Sequence, residues 1–279
     1  LLFENSCYAK NYFYFYGKNQ VMAMKRVINF LCLLLVWAAA SSQEVFLRKD
    51  YISDRGDTLR YRLLEPETLE PGAKYPLVLF LHGAGERGTD NEKQLKHGAQ
   101  MWLNPVNREQ YPAFVLMPQC PPDDYWAYIG RPASLQPSDM PVDVPLSPLL
   151  RTLKELLDTW LAKPEIDKSR IYIMGLSMGG MGTYDLAIRH PDLFAAAIPI
   201  CGTVNPARFT PALKQVKFRI FHGDADNVVP VEGSRAAYRA LKELGVDVKY
   251  TEFPGCMHES WNPAFNLPDF MSWLFEQKK

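Results

Sequence analysis

Continuous apolar runs recur along the chain: YPLVLFLHG (75–83), AFVLMPQ (113–119), SRIYIMG (169–175), FAAAIPICG (194–202) and FRIFHGD (218–224). Short runs of this kind, bounded by Gly, Pro or polar residues, read as strands buried on both faces. VKYTEFPG (248–255) reads as a last strand. Between them the period changes to that of a helix. Residues 146–163 place Leu149, Leu150, Leu153, Leu156, Leu157 and Trp160 on one stripe, the pattern of an amphipathic helix. A second helix is expected after Ser177 and is stopped by Pro191; a third, over 234–245, is closed by Gly245. A terminal helix is expected over 263–277, with Pro268 near its start. Ahead of these, EVFLRKDYIS (44–53) and TLRYRLLEP (58–66) flank the turn DRGD and predict an N-terminal hairpin.

Strands alternating with helices predict an α/β protein: a mostly parallel central sheet flanked by helices on both faces, with N-terminal antiparallel strands. The order fits a single domain over 43–279, with no linker and no repeat. The least regular part is 118–148, which holds eight prolines. Proline fixes φ and removes a donor, so this part predicts a rigid surface excursion, either a wall of a binding site or a structural loop.

Charge narrows the partners. Lys+Arg and Asp+Glu are both 31, which gives no basic field for nucleic acid. The N-terminus has its own pattern. In MAMKRVINFLCLLLVWAAASSQ (22–43), Lys25 and Arg26 precede an apolar run from Val27 to Ala40, and small residues follow. This is the layout of a secretory signal peptide over 22–42, cleaved near Ala40–Ser42, and predicts a secreted or periplasmic protein. The rival reading is an uncleaved anchor, but the run is shorter than the roughly 20 residues a spanning helix needs. Residues 1–21 begin without Met and read as sequence ahead of a start at Met22 or Met24. Of the remaining cysteines, Cys120, Cys201 and Cys256, a Cys201–Cys256 disulfide and three free thiols are both open. No CxxC or His-Cys cluster suggests a metal.

The chemistry centres on MGLSMGG (174–180), which contains G-x-S-x-G between a strand and a helix. A plain glycine turn is the simple alternative. In a strand–turn–helix setting, however, the serine sits on a strained elbow with its hydroxyl above the strand ends. Ser177 is the candidate nucleophile. Its base and orienting acid are expected in chain order Asp, then His, after later strands. FHGDADNVVP offers Asp224 and Asp226; Asp226 lies deeper in the loop, while Asp224 is expected to brace it through backbone amides. FPGCMHESW offers His258 as base. The other histidines have simpler explanations: His82 and His222 end strands, His190 ends a helix and His97 lies in a polar stretch. An oxyanion would be held by the amide of Met178 and by one from HGAGERG, first Ala84 and then Gly85. Glu86 and Arg87 read as structural, paired with each other or with neighbouring loops.

Together LHGAGERG, MGLSMGGMGTYDLAIRHPDLFAAAIPICG, FHGDADNVVP and MHESW resemble the α/β-hydrolase superfamily. The nearest groups are the bacterial phospholipase/carboxylesterase-like proteins, often called predicted peptidases, and the polyhydroxybutyrate-depolymerase-like and feruloyl esterases. The resemblance spans residues 55–275. It implies ester hydrolysis through an acyl-enzyme, with Ser177, His258 and Asp226 as the triad and no metal or organic cofactor. A small-molecule or glycan-linked ester is the expected partner, with no nucleic acid and no stable membrane partner. Tyr125, Trp126, Tyr128, Trp102 and Trp261 are candidate walls for a sugar or an aryl acid, against the plainer reading of core anchors. A serine peptidase of small peptides and a silent binding protein remain as alternatives.

Overall fold

The computed structural model describes residues 45–128 and 130–279. The segment 1–21 expected to lie upstream of the start and the signal peptide expected over 22–42 fall outside the described residues. Strands β1 (Leu47–Ile52) and β2 (Thr58–Leu64) pair antiparallel, Leu47 against Leu63 and Ile52 against Thr58, as the turn at 54–57 requires. Strand β2 joins β4 (Phe114–Pro118), also antiparallel. From there β3 (Tyr75–Leu81), β4, β5 (Ile166–Leu176), β6 (Ala196–Ile200), β7 (Lys217–Gly223) and β8 (Val248–Phe253) run parallel. The order across the sheet is β1-β2-β4-β3-β5-β6-β7-β8. Strand β3 therefore has β4 on one side and β5 on the other. Where the strand order reverses in this way, a crevice opens at the carboxyl ends of the strands.

The continuous apolar runs are explained by burial on both faces. In β3, Leu77, Leu79 and Leu81 enter one core, while Val78 and Phe80 enter the other. In β5, Ile171 and Ile173 divide from Tyr172 and Met174 in the same way. Each fully buried Leu or Ile of this kind contributes about 1.5–3 kcal/mol.

The helices are α1 (Ala99–Leu103), α2 (Pro105–Gln110), α3 (Pro148–Leu161), α4 (Met178–Arg189), α5 (Glu232–Glu243), α6 (Trp261–Phe265) and α7 (Phe270–Glu276). Helix α3 starts where Ser147 Oγ accepts from the Leu150 N–H at 3.1 Å and Pro148 takes the first turn. It buries the expected Leu149–Trp160 stripe in the first core with α4 and α5. Helices α1, α6 and α7 serve the second core.

Two boundaries differ from the sequence reading. The terminal helix expected over 263–277 is broken into α6 and α7, because Pro268 lacks an N–H and disfavours helical backbone in Leu267 before it. Strand β5 starts at Ile166, where it already pairs with Tyr75 ahead of a register shift.

The proline-rich excursion is tied down at several points. Trp126, Met140 and Val144 are buried in the first core. Asn205 Nδ2 donates to Met140 O at 2.8 Å, and Trp126 Nε1 donates to His82 O at 3.0 Å. Arg189 reaches the carbonyl of Val144 while also pairing with the fully buried Asp185, which in turn holds Arg208. Residues Phe46–Lys279 form one compact unit. Among the described residues, no helix is long and apolar enough to cross a membrane.

Candidate active site

Ser177 separates the last residue of β5 from the first of α4 and takes φ 54° and ψ −116°, a conformation that L side chains rarely adopt. The elbow is that sharp because its neighbours are glycines. A Cβ at Gly179 would stand 2.0 Å from Leu81 O, and one at Gly175 would stand 2.5 Å from Gly179 O. The helix can touch the end of β3 only without those carbons. Two backbone bonds fix the turn, from Ser177 N–H to Ile200 O at 2.8 Å and from Met181 N–H to Ser177 O at 3.1 Å.

The loops after β7 and β8 bring their side chains to this elbow. His258 Nε2 lies 2.9 Å from Ser177 Oγ, and His258 Nδ1 lies 2.8 Å from Asp226 Oδ2. Asp226 Oδ1 accepts the Val228 and Val229 amides at 2.8 and 2.9 Å. Burial alone would raise the Asp226 carboxyl, but hydrogen bonds from His222, His258 and those two amides outweigh it and hold it far below the usual carboxylate range. Asp226 thus stays a full negative charge that orients His258 with its proton on Nδ1, leaving Nε2 to accept from the serine. Asp224 is elsewhere: its Oδ1 accepts the Gly255 N–H at 2.6 Å.

The third loop, after β3, begins at Gly83 and enters a short turn over Ala84–Glu86. A Cβ on Gly83 would stand 2.9 Å from Leu176 Cδ1, so this loop lies directly against the elbow strand. His82 pins its base. The buried ring donates from Nδ1 to Gly83 O at 2.6 Å and accepts the Cys120 N–H at Nε2 at 2.9 Å. Met178 opens α4, so its N–H has no partner within the helix and faces outward with the positive end of the helix dipole. Met178, Ala84 and Gly85 are therefore on the two segments that meet at Ser177. Glu86 is buried rather than paired with Arg87; its Oε1 lies 3.5 Å from His97 Nε2, and burial raises its carboxyl. Arg87 instead donates to the carbonyls of Ala84 and Asp124.

The aromatic candidates divide. Trp261 lies beside the site, its ring edge-on to His258 with centroids 5.5 Å apart, and its other neighbour is His97 at 5.0 Å. His97 is therefore held between Glu86 and Trp261 rather than solvated. Trp126, Tyr125 and Tyr128 are at most 5% exposed and belong to the first core, and Trp102 is 3% exposed in the second, against Phe275. These four anchor the fold and offer no open face to a substrate; the irregular excursion carries no periodicity that would reveal which way its rings point. Exposed apolar surface at the site comes instead from Val228 and Met257, next to the Asp226 loop and His258.

Cys120, Cys201 and Cys256 are free thiols, so the Cys201–Cys256 disulfide is not formed. Cys201 Sγ, an Asp226 oxygen and a His258 nitrogen lie within 4.8 Å of one another, a grouping with the ligand types of a metal site. Both Asp226 oxygens already accept N–H groups, and burial pushes the Cys201 thiol far up, against the thiolate a metal would require. The arrangement suits proton transfer between Ser177 and His258, with Asp226 as the fixed negative charge beside the ring. The histidine that the sequence reading passed over is His222, whose Nε2 also lies 3.1 Å from Asp226 Oδ2.

A family profile described as phospholipase/carboxylesterase matches residues 69–271. A thermostable esterase of known structure superposes with a TM-score of 0.76 at 40% identity, over 85% of this chain and 64% of that one. Lysophospholipase-like protein 1 of Mus musculus is 29% identical over 201 residues, covering 65% of this chain and 79% of the relative. An uncharacterized secreted protein of Arthroderma benhamiae is 27% identical over 77% of this chain, which spans 25% of that protein. The chain thus spans less than two thirds of the length of the esterase and of the secreted protein. With the profile covering most of its length and the eight-stranded sheet in place, this chain belongs to the phospholipase/carboxylesterase family, has the α/β-hydrolase fold and is a hydrolase.

Proposed function

We propose that the chain is a secreted serine carboxylesterase working through Ser177, His258 and Asp226. Ser177 Oγ attacks the ester carbonyl carbon while its proton passes to His258 Nε2. The amides of Met178 and Ala84 receive the oxyanion. Collapse expels the alcohol, which takes the proton from His258. A water then attacks the acyl-enzyme, gives its proton to His258, and the carboxylic acid leaves as Ser177 is reprotonated. The observation that carries this reading is the single imidazole spanning 2.9 Å to Ser177 Oγ and 2.8 Å to Asp226 Oδ2.

The proposed substrates are carbohydrate-linked acetyl or aryl esters of the feruloyl type. Trp261 supports this class, since its ring lies against His258 and also lines a cavity of about 360 Å3. That cavity is further lined by His97, Gln100, Asn104, Asn262 and Asn266, a polar, amide-rich wall suited to hydroxyl groups. Export rests on the basic, apolar and small-residue order of 22–43, and one similar protein is described as secreted.

The test is hydrolysis of p-nitrophenyl acetate, acetylated and feruloylated sugars, and peptide amides by the purified protein beside Ser177→Ala. Ester turnover lost in the variant, with fluorophosphonate labelling only of the wild type, is the expected result. Faster cleavage of amides than esters would favour the peptidase reading. Neither turnover nor labelling would leave a binding protein. N-terminal sequencing of exported protein should begin near residues 41–43.

A further inference from the structure

We propose that His222 is a positioning residue for the active site, holding Asp226 in the orientation that His258 requires. His222 is the penultimate residue of β7 and is completely buried, so it touches no substrate. Its Nε2 faces two acceptors, Asp226 Oδ2 at 3.1 Å and Val229 O at 3.0 Å. A ring nitrogen between a carbonyl and a carboxylate carries the hydrogen. On the far side, Nδ1 lies 2.7 Å from Ser234 Oγ, on the buried face of α5. In the neutral ring the Ser234 hydroxyl donates to Nδ1 and so selects the tautomer with hydrogen on Nε2.

The consequence falls on Asp226. Its Oδ1 takes two amides from its own loop, at Val228 and Val229. Its Oδ2 takes one N–H from His258 and one from His222. The loop amides alone fix one oxygen and leave the other free to swing about it. His222 supplies the fixed, buried donor that aims Oδ2 at His258 Nδ1, and through that ring aims Nε2 at Ser177. Because the contact lies behind the acid, its loss falls on the chemical step and not on substrate binding.

The inference rests on the serine-hydrolase reading, and the same assay separates the two. Steady-state kinetics with p-nitrophenyl acetate are compared for wild type, Ser177→Ala, His222→Leu, His222→Gln and Ser234→Ala, with far-UV circular dichroism and thermal midpoints confirming the fold. His222→Leu is expected to lower kcat roughly 10- to 100-fold with KM held within about twofold, the size of a misplaced catalytic group. His222→Gln puts an amide N–H near the position of Nε2 and should recover kcat to within about fivefold of wild type. Ser234→Ala, which removes the tautomer-selecting donor without touching Asp226, should lower kcat about threefold or more at unchanged KM. A folded His222→Leu with wild-type kcat, or a Gln variant no better than Leu, overturns the proposal. If His222→Leu does not fold, an unchanged kcat in Ser234→Ala overturns it instead. Full activity in Ser177→Ala would mean that the serine-hydrolase reading itself is wrong.

Discussion

His258 and Ser177 are 81 positions apart in the chain, yet Nε2 of one lies 2.9 Å from Oγ of the other. They meet because parallel strands deliver all their following loops to one edge of the sheet. Ser177→Ala should therefore lower kcat/KM for an ester by at least about 10³-fold, with the unfolding midpoint little changed. Steady-state kinetics and thermal unfolding of the purified variant check both halves.

Ser177 also predicts a stability effect opposite in sign. Its φ of 54° with ψ of −116° is a conformation open to glycine and strained for any other residue. Ser177→Gly should remove the hydroxyl and the strain together. The expected outcome is an inactive protein stabilised by about 1–2 kcal/mol, less the entropy glycine gains in the unfolded chain. Urea denaturation of Ser177→Gly beside Ser177→Ala isolates the backbone effect, and a glycine variant less stable than the alanine one would count against stored strain at the elbow.

The two acids of the β7 loop should separate cleanly. Asp226 faces His258, while Asp224 accepts the amide of Gly255. Asp226→Asn replaces the charge with a neutral amide and should reduce kcat about 10⁴-fold. Asp224→Ala should leave kcat within about threefold and cost about 1 kcal/mol through the lost loop bond. Equal losses of activity in the two variants would mean that the acid has been assigned to the wrong residue.

Much of this geometry is legible in the sequence. Strands such as 75–81 and 171–176 have no polar position, and only a site between two helical layers accepts that. Ser177 follows such a strand, and Asp226 and His258 follow the parallel strands β7 and β8, so their convergence is a property of parallel topology. What was hidden is tertiary. The rings of Tyr125 and Trp126 lie in a segment without periodicity, and only packing decides that they face the core. His97 reads as a solvated residue until the loop carrying Glu86 is folded beside it. His222 reads as a strand-end residue, because its contact with Asp226 depends on how the loop 224–229 turns back.

Acid sensitivity provides the last test, through His82. The ring is 1% exposed, and burial pushes its pKa down from the ordinary value to about 4. Protonation would also remove the acceptor for the Cys120 N–H at Nε2. In the unfolded chain His82 takes up a proton near the ordinary value of about 6.5. Between about pH 6.5 and 4 the unfolded state therefore binds more protons, and stability falls as pH is lowered through that window. Above it this contribution is fully present and flat; a displacement from about 6.5 to about 4 corresponds to about 3 kcal/mol. Asp226 acts in a different window, because a carboxylate held far below its usual range loses its contribution only below about pH 4. Urea unfolding at pH 7, 5.5 and 4 should show wild type losing about 3 kcal/mol more than His82→Asn, which can still donate to Gly83 O but does not titrate. Parallel stability curves for the two proteins would show that the buried ring is not the acid-sensitive element.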